Sequence, residues 1–215
     1  MTPFLLSHDA SLVQLCGQLS PAGTGSQTLS NALHALRGSS FHSHHIISDA
    51  PCYFMTLRDP ARRLESGFRY EVINHRGGRP RLSAPGFRSV SHFVDLLRSA
   101  NKSYDSKRAW RLLNLSWNKT SPGDDGSFFM RAQVTYIAAA KTSPIFFLCT
   151  DRLTQDMELL FRNASMNEVT ANTRQKQASP ELLRRSSLSA EAAWYFRSLF
   201  AADWTYVQRH CPHVH

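Results

Sequence analysis

Between Ala50 and Val72, APCYFMTLRDPARRLESGFRYEV, an arginine and a serine are spaced to converge on an anion. Tyr53-Phe54-Met55-Thr56-Leu57 is short, apolar and rich in β-formers, which predicts a buried strand. Arg58-Asp59-Pro60 ends it, with Pro60 suited to the first position of a helix and Asp59 to its N-cap. From Ala61 the spacing of Leu64, Phe68 and Val72 predicts a helix with one apolar face. Arg58 then stands at the carboxyl end of the strand, with Ser66 roughly two turns into the helix. Open α/β sheets bind ligands at that edge. The plainer reading is a strand–turn–helix whose Arg58 pairs with a nearby carboxylate, and the residue types leave both open.

A second anion cradle is written earlier in the chain. Ser11 to Leu19, SLVQLCGQL, reads as a strand, and Leu29, Leu33 and Leu36 mark one face of a helix. Between them lies Ser20-Pro21-Ala22-Gly23-Thr24-Gly25-Ser26-Gln27-Thr28. A strand, a glycine-rich loop and a helix start turn successive backbone N–H groups toward an anion. The candidate ligands are Gly23, Thr24, Gly25, Ser26, Gln27 and Thr28, with hydroxyls from Thr24, Ser26 and Thr28 as added donors. The loop lacks the lysine of GxxxxGK[ST], which argues against an ordinary nucleoside triphosphatase. A flexible turn is the alternative.

Ser39 to Asp49, SSFHSHHIISD, supplies the candidate base. Strand alternation puts His42 and His44 on one face and His45 on the other. Imidazole suits the removal of a hydroxyl proton near neutral pH. Zinc is a poor rival, because two strand-spaced histidines lack a third ligand.

Arg58-Asp59-Pro60, Arg63, Ser66 and Phe68-Arg69-Tyr70 together resemble the RDPxxRxxSxY segment of carbohydrate sulfotransferases. That family uses 3′-phosphoadenosine 5′-phosphosulfate (PAPS). By the resemblance, Arg58 and Ser66 hold the 3′-phosphate, and the Gly23–Thr28 loop is similar to the family's 5′-phosphosulfate loop, PKxGxT or PKTGST. The family's loop lysine would fall at Gly23 or Ala22, and neither is basic. Charge on the departing oxygen is then less well stabilised. The histidine stretch looks like the aromatic-His-Gly-His segment of uronic-acid 2-O-sulfotransferases, which implies His42 as base and His44 in support. FLCTDRLTQDMELL is similar to a late strand and helix of the family, and Phe200 to Tyr206 to its closing helix. Asn172-Thr173-Arg174-Gln175-Lys176 falls where the family closes over its nucleotide, which implies Arg174 and Lys176 as a clamp.

The resemblance implies an α/β fold, with a P-loop-like central parallel sheet flanked by helices in a single sulfotransferase domain over residues 1–215. It implies in-line transfer of a sulfuryl group from PAPS to a hydroxyl, with adenosine 3′,5′-bisphosphate leaving and no metal. The acceptor implied is an anionic glycan or a small hydroxylated molecule, and the compartment the Golgi lumen or else the cytoplasm. Two rivals stand beside it: a phosphate-loop kinase, and a catalytically impaired homologue that binds nucleotide or glycan.

The elements that must position these groups are legible from composition and periodicity. With 42% hydrophobic residues, the 215-residue chain can bury a core. Its net charge of +9 favours polyanions, and 20 of the 25 basic residues are arginines, suited to forked recognition of phosphate and carboxylate. No nucleic-acid motif and no membrane-length apolar run accompanies that charge, so neither nucleic acid nor membrane is an expected partner. Met1 to Leu15 lacks the pattern of a signal peptide, and an anchor, if there is one, is expected outside this sequence. Asn101, Asn114, Asn118 and Asn163 lie in sequons, which points weakly to a lumenal glycoprotein.

Cys16, Cys52 and Cys149 sit in or beside apolar runs, which predicts free buried thiols. Cys211, in His-Cys-Pro-His-Val-His, looks metal-like but is expected in a mobile tail. The basic stretch Asn74 to Arg81 reads as a surface loop. Helices are expected over Ser89–Ser99, Met130–Ala140, Gln155–Phe161 and Ser189–Gln208, with Trp194 and Ala138 among the inward positions. Asn101 to Ser127 reads as mostly polar and turn-rich, apart from Trp110-Arg111-Leu112-Leu113, and Pro144 to Cys149 as a buried strand. Strands alternating with helices imply a parallel sheet covered on both faces.

Overall fold

The computed structural model describes residues 16–19, 21, 26–37, 50–74, 87–99, 103–117, 130–161 and 179–214. They form a small three-stranded parallel sheet with many helices. The strands are β1 (Gly17–Leu19), β2 (Tyr53–Leu57) and β3 (Ile145–Cys149), in the order β1-β2-β3. Gly17 pairs with Tyr53 on one side of β2, and Leu57 pairs with Cys149 on the other. All five residues of β2 are buried, so the central strand reads as a continuous apolar run rather than an alternation.

Alternate side chains of β2 feed two cores. Phe54 packs with Leu29 and Leu33 of α1 (Ser26–Arg37), and with Met157 of α6 (Leu153–Phe161). Tyr53, Met55 and Leu57 point the other way, toward Tyr136 of α5 (Val134–Ala139) and Val207 of α9 (Ala201–His210). Helices therefore cover both faces, as the alternation of elements implies.

A third core is made by helices alone. α2 (Pro60–Asn74) contributes Leu64 and Phe68, on the predicted apolar face, and Val72 packs at its margin. α3 (Val90–Arg98) adds Phe93, Val94 and Leu97, and α4 (Tyr104–Trp117) adds Ala109, Leu112 and Leu113. α7 (Pro180–Ser186) and α8 (Ala190–Leu199) close the cluster with Leu182 and Phe196.

The structure corrects several expectations. The cysteines are paired, Cys16 with Cys52 and Cys149 with Cys211. Parallel pairing brings the starts of β1 and β2 together, where the Gly17 N–H donates to the Cys52 carbonyl at 2.8 Å. Cys149 ends β3, and α9 delivers Cys211 to within 5.7 Å of it, Cα to Cα. Neither adjacency is local in sequence, and Cys211 is thereby fixed in the fold with its sulfur committed to the disulfide.

The stretch read as turn-rich contains α4, which starts where the Ser103 hydroxyl accepts the Ser106 N–H at 3.1 Å. Its apolar residues are few but correctly spaced for one buried face. The last predicted helix is two, α8 and α9, because Phe200 leaves helical geometry at φ −108° and ψ 41°. Trp194 is 69% exposed, and Ala138 is exposed while Tyr136 is buried in its place. α5 is shorter than the predicted Met130–Ala140 helix. Among the described residues, no helix is long and apolar enough to cross a membrane.

Candidate functional site

The three parallel strands end at one edge, and the Arg58-Asp59-Pro60 turn leaves the central one there. Its geometry is fixed from three directions. Asp59 accepts the Ala61 N–H at 2.9 Å, so it caps α2 with Pro60 in the first helical position, as the residue types predict. The guanidinium of Arg197 on α8 grips the same carboxylate through Nε, 3.1 Å from each oxygen, and through Nη2. That contact raises the Arg197 pKa, and the guanidinium also lies over the Trp204 ring at 4.6 Å.

The backbone of Arg58 is held by Gln133. The Gln133 Oε1 accepts the Arg58 N–H at 3.1 Å, and its Nε2 donates to the Arg58 carbonyl at 2.8 Å. Gln133 is anchored in turn by Asp203 of α9, whose carboxylate accepts the backbone N–H groups of Gln133 (2.7 Å) and Val134 (2.9 Å). Burial holds the Asp203 carboxyl above the usual carboxylate range, against the opposing pull of Arg63 at 3.9 Å. Arg63 is buried as well, its pKa lowered by desolvation, and it donates to the Arg131 carbonyl. On the β3 side, the Thr150 hydroxyl donates to the Leu57 carbonyl at 2.8 Å.

This frame opens onto a polar cleft of about 450 Å³. It is lined by Arg58, Asp59, Arg62, Glu65 and Arg69 from the turn and α2, and by Asp151, Ser187, His213 and Val214 from other parts of the chain. The volume is within the range of small-ligand sites, roughly 300 to 1,000 Å³. Glu65 is engaged by Arg62 at 3.1 Å and by the Leu188 N–H at 2.8 Å, and Arg69 donates to the Ser186 hydroxyl at 3.2 Å. Burial lowers the Arg58 pKa, and Asp151 is the strongest influence acting against it. Arg58 thus has both surroundings the sequence left open, a carboxylate in its field and an open ligand-sized space beside it.

Ser66 lies on the helical stripe of Arg62 and Arg69, half-buried, and does not join the described walls of the cleft. α1 begins at Ser26, after the glycine loop, and Thr28 is half-buried in its first turn. The backbone of Ser26 and Gln27 is helical. Gly23, Thr24, Gly25, His42, His44, Arg174 and Lys176 lie outside the described residues. The structure adds Arg62, Arg69, Asp151 and His213 to the site. Arg62 and Arg69 were findable as the basic partners of Arg58 on the following helix. Asp151 was marked by its place after a buried strand, whereas His213 stood out only as part of the metal-like His-Cys-Pro-His-Val-His stretch.

Compared with models of known families, with curated protein sequences and with solved structures, the chain matches none.

Proposed function

We propose that the protein is a PAPS-dependent sulfotransferase of the carbohydrate type, a single domain built on a P-loop-like sheet. The observation that carries this reading is the setting of Arg58: it follows the central parallel strand, its backbone is bonded on both sides, and it borders a cleft with Arg62 and Arg69. That is the setting required of a 3′-phosphate ligand in the RDPxxRxxSxY resemblance. Arg58 and Ser66 would hold the 3′-phosphate, and the Gly23–Thr28 loop the 5′-phosphosulfate, with Arg174 and Lys176 closing over the nucleotide. His42, supported by His44, would take the proton of the acceptor hydroxyl as its oxygen attacks sulfur, and adenosine 3′,5′-bisphosphate would leave. Positioning and charge stabilisation supply the rate in such a transfer.

The acceptor class is a glycan or other small hydroxylated molecule, favoured by the arginine-rich charge of the chain. Two disulfides and four sequons favour an oxidising lumen, the Golgi. The absence of a basic residue at Ala22 and Gly23 favours a second reading, a homologue that binds the nucleotide and transfers slowly or not at all.

Calorimetry with adenosine 3′,5′-bisphosphate and with ATP tests the binding half. The bisphosphate should bind more tightly, and Arg58→Ala should weaken it by roughly tenfold or more, the worth of a charge-assisted contact. Preference for ATP with magnesium would overturn the reading in favour of a kinase. A sulfate-transfer assay of the parent beside Gly23→Lys, over a panel of glycans and alcohols, tests the chemical half. Nucleotide binding without transfer in either protein would establish the second reading.

A further inference from the structure

The turn after α9 reaches the same cleft. The Cys211 N–H closes the helix by donating to the Val207 carbonyl at 2.7 Å, and the Val214 N–H returns to the Cys211 carbonyl at 3.0 Å. The Cys149–Cys211 disulfide ties this turn to the last residue of β3, which is paired with Leu57 immediately before Arg58. His213 and Val214 thereby line the same cleft as Arg58, Arg62 and Arg69.

We propose that His213 is an anion-contacting residue of this cleft, so that a phosphate or sulfate group is held by Arg58, Arg69 and His213 together. The Cys149–Cys211 disulfide sets that placement. The inference rests on the reading of Arg58 as a 3′-phosphate ligand and extends it to the turn after α9.

The charges around the cleft favour this. Asp59 is bound by Arg197, and Glu65 by Arg62 and the Leu188 N–H. Asp151 acts on Arg58, while Arg69 donates to the neutral hydroxyl of Ser186. The lining side chains balance, Arg58, Arg62 and Arg69 against Asp59, Glu65 and Asp151, and Arg197 behind Asp59 supplies the one positive charge in excess, short of what a dianion requires. An imidazole offers an N–H donor when neutral and a cation when protonated. A ring N–H there adds a donor to a phosphate monoester or sulfate held by the arginines. His210, on the last turn of α9, packs against Phe147 at 4.4 Å, and Arg209 is its charged neighbour. Substitution of His213 alone therefore isolates the effect.

Calorimetry on the full chain, its His213→Gln variant and a Cys149→Ser/Cys211→Ser variant tests the proposal, with sulfate and adenosine 3′,5′-bisphosphate as probes. His213→Gln should weaken both probes roughly five- to tenfold, the worth of one charge-assisted contact to the anion. The cysteine variant, if its circular dichroism is that of the parent, should match that loss. His213 is exposed, so His213→Gln should fold and decides the matter even if the cysteine variant does not. Parental affinity for both probes in His213→Gln would overturn the inference while leaving the nucleotide reading intact. His213-dependent sulfate binding without nucleotide binding would keep the anion contact and remove the nucleotide reading. Binding of neither probe would remove both.

Discussion

The side-chain amide of Gln133 satisfies both backbone polar groups of Arg58, residues 75 positions apart in the chain. A backbone held on its N–H and its carbonyl cannot rotate without breaking one of the two bonds. The Arg58 side chain therefore leaves the strand in a set direction, and its placement depends on a residue that does not line the cleft.

Gln133→Leu keeps the volume and removes both bonds. Two partly buried backbone groups then lose their partners, at a cost of about 2 to 4 kcal/mol. Urea unfolding should show that loss, and calorimetry should show weaker binding of adenosine 3′,5′-bisphosphate at temperatures where the variant is folded. Stability within about 0.5 kcal/mol of the parent would mean that the turn is held by its other contacts.

Asp59 has two duties, capping α2 and receiving Arg197. Asp59→Ala ends both and strands a guanidinium that is only 24% exposed, so roughly 3 kcal/mol should be lost. Asp59→Asn keeps an oxygen for the Ala61 N–H and one bond to Arg197, and should recover part of the loss. Chemical denaturation of the two variants separates the duties; equal destabilisation would assign the whole effect to the charge.

Asp203 gives a pH dependence whose sign follows from its burial. Its carboxyl is held above the ordinary carboxylate pKa, first by desolvation, with Arg63 and the two backbone N–H groups acting the other way. In the window above the unfolded value, about pH 4, the folded chain holds the proton more tightly than the unfolded chain. The contribution of this group to stability is thus largest at the acid end and is lost as pH rises through the folded value. Asp203→Asn should be less stable overall, because one of its two acceptors becomes a donor facing an N–H. It should also lack that component of the pH slope. Urea midpoints measured across the window in both proteins check it, and identical slopes would sink the assignment.

Much of this was written locally, and the rest was not. The β2–turn–α2 unit could be read because its signals are adjacent: a β-forming run, an N-cap aspartate, a helix-starting proline and a four-residue apolar spacing. α7 had the same kind of signal in Ser179-Pro180-Glu181, where Ser179 accepts the Leu182 N–H at 3.2 Å. The partners of the turn were hidden because Gln133, Arg197 and Asp203 come from distant elements, and their residue types suit an exposed surface equally well. Both disulfides and the approach of His213 to the cleft depend on strand pairing and on where α9 ends. No periodicity encodes those distances.

Gly17 is where the sheet tolerates no side chain. A Cβ there would lie 2.9 Å from two ring atoms of Tyr53 and 3.0 Å from the Ala50 Cβ. The ring is held in place, because the Tyr53 hydroxyl accepts the Ala50 N–H at 3.1 Å. Gly17→Ala must therefore push β1 away from β2 or break that bond, and overpacking of this kind costs about 1 to 3 kcal/mol. Ala has the better strand propensity, so a purely local account predicts the opposite sign. Tyr53→Leu removes the ring that causes the conflict, and in that background Gly17→Ala should cost less than half as much. A double-mutant cycle by urea denaturation measures the difference, and strict additivity would place the cost of Gly17→Ala somewhere other than the Tyr53 ring.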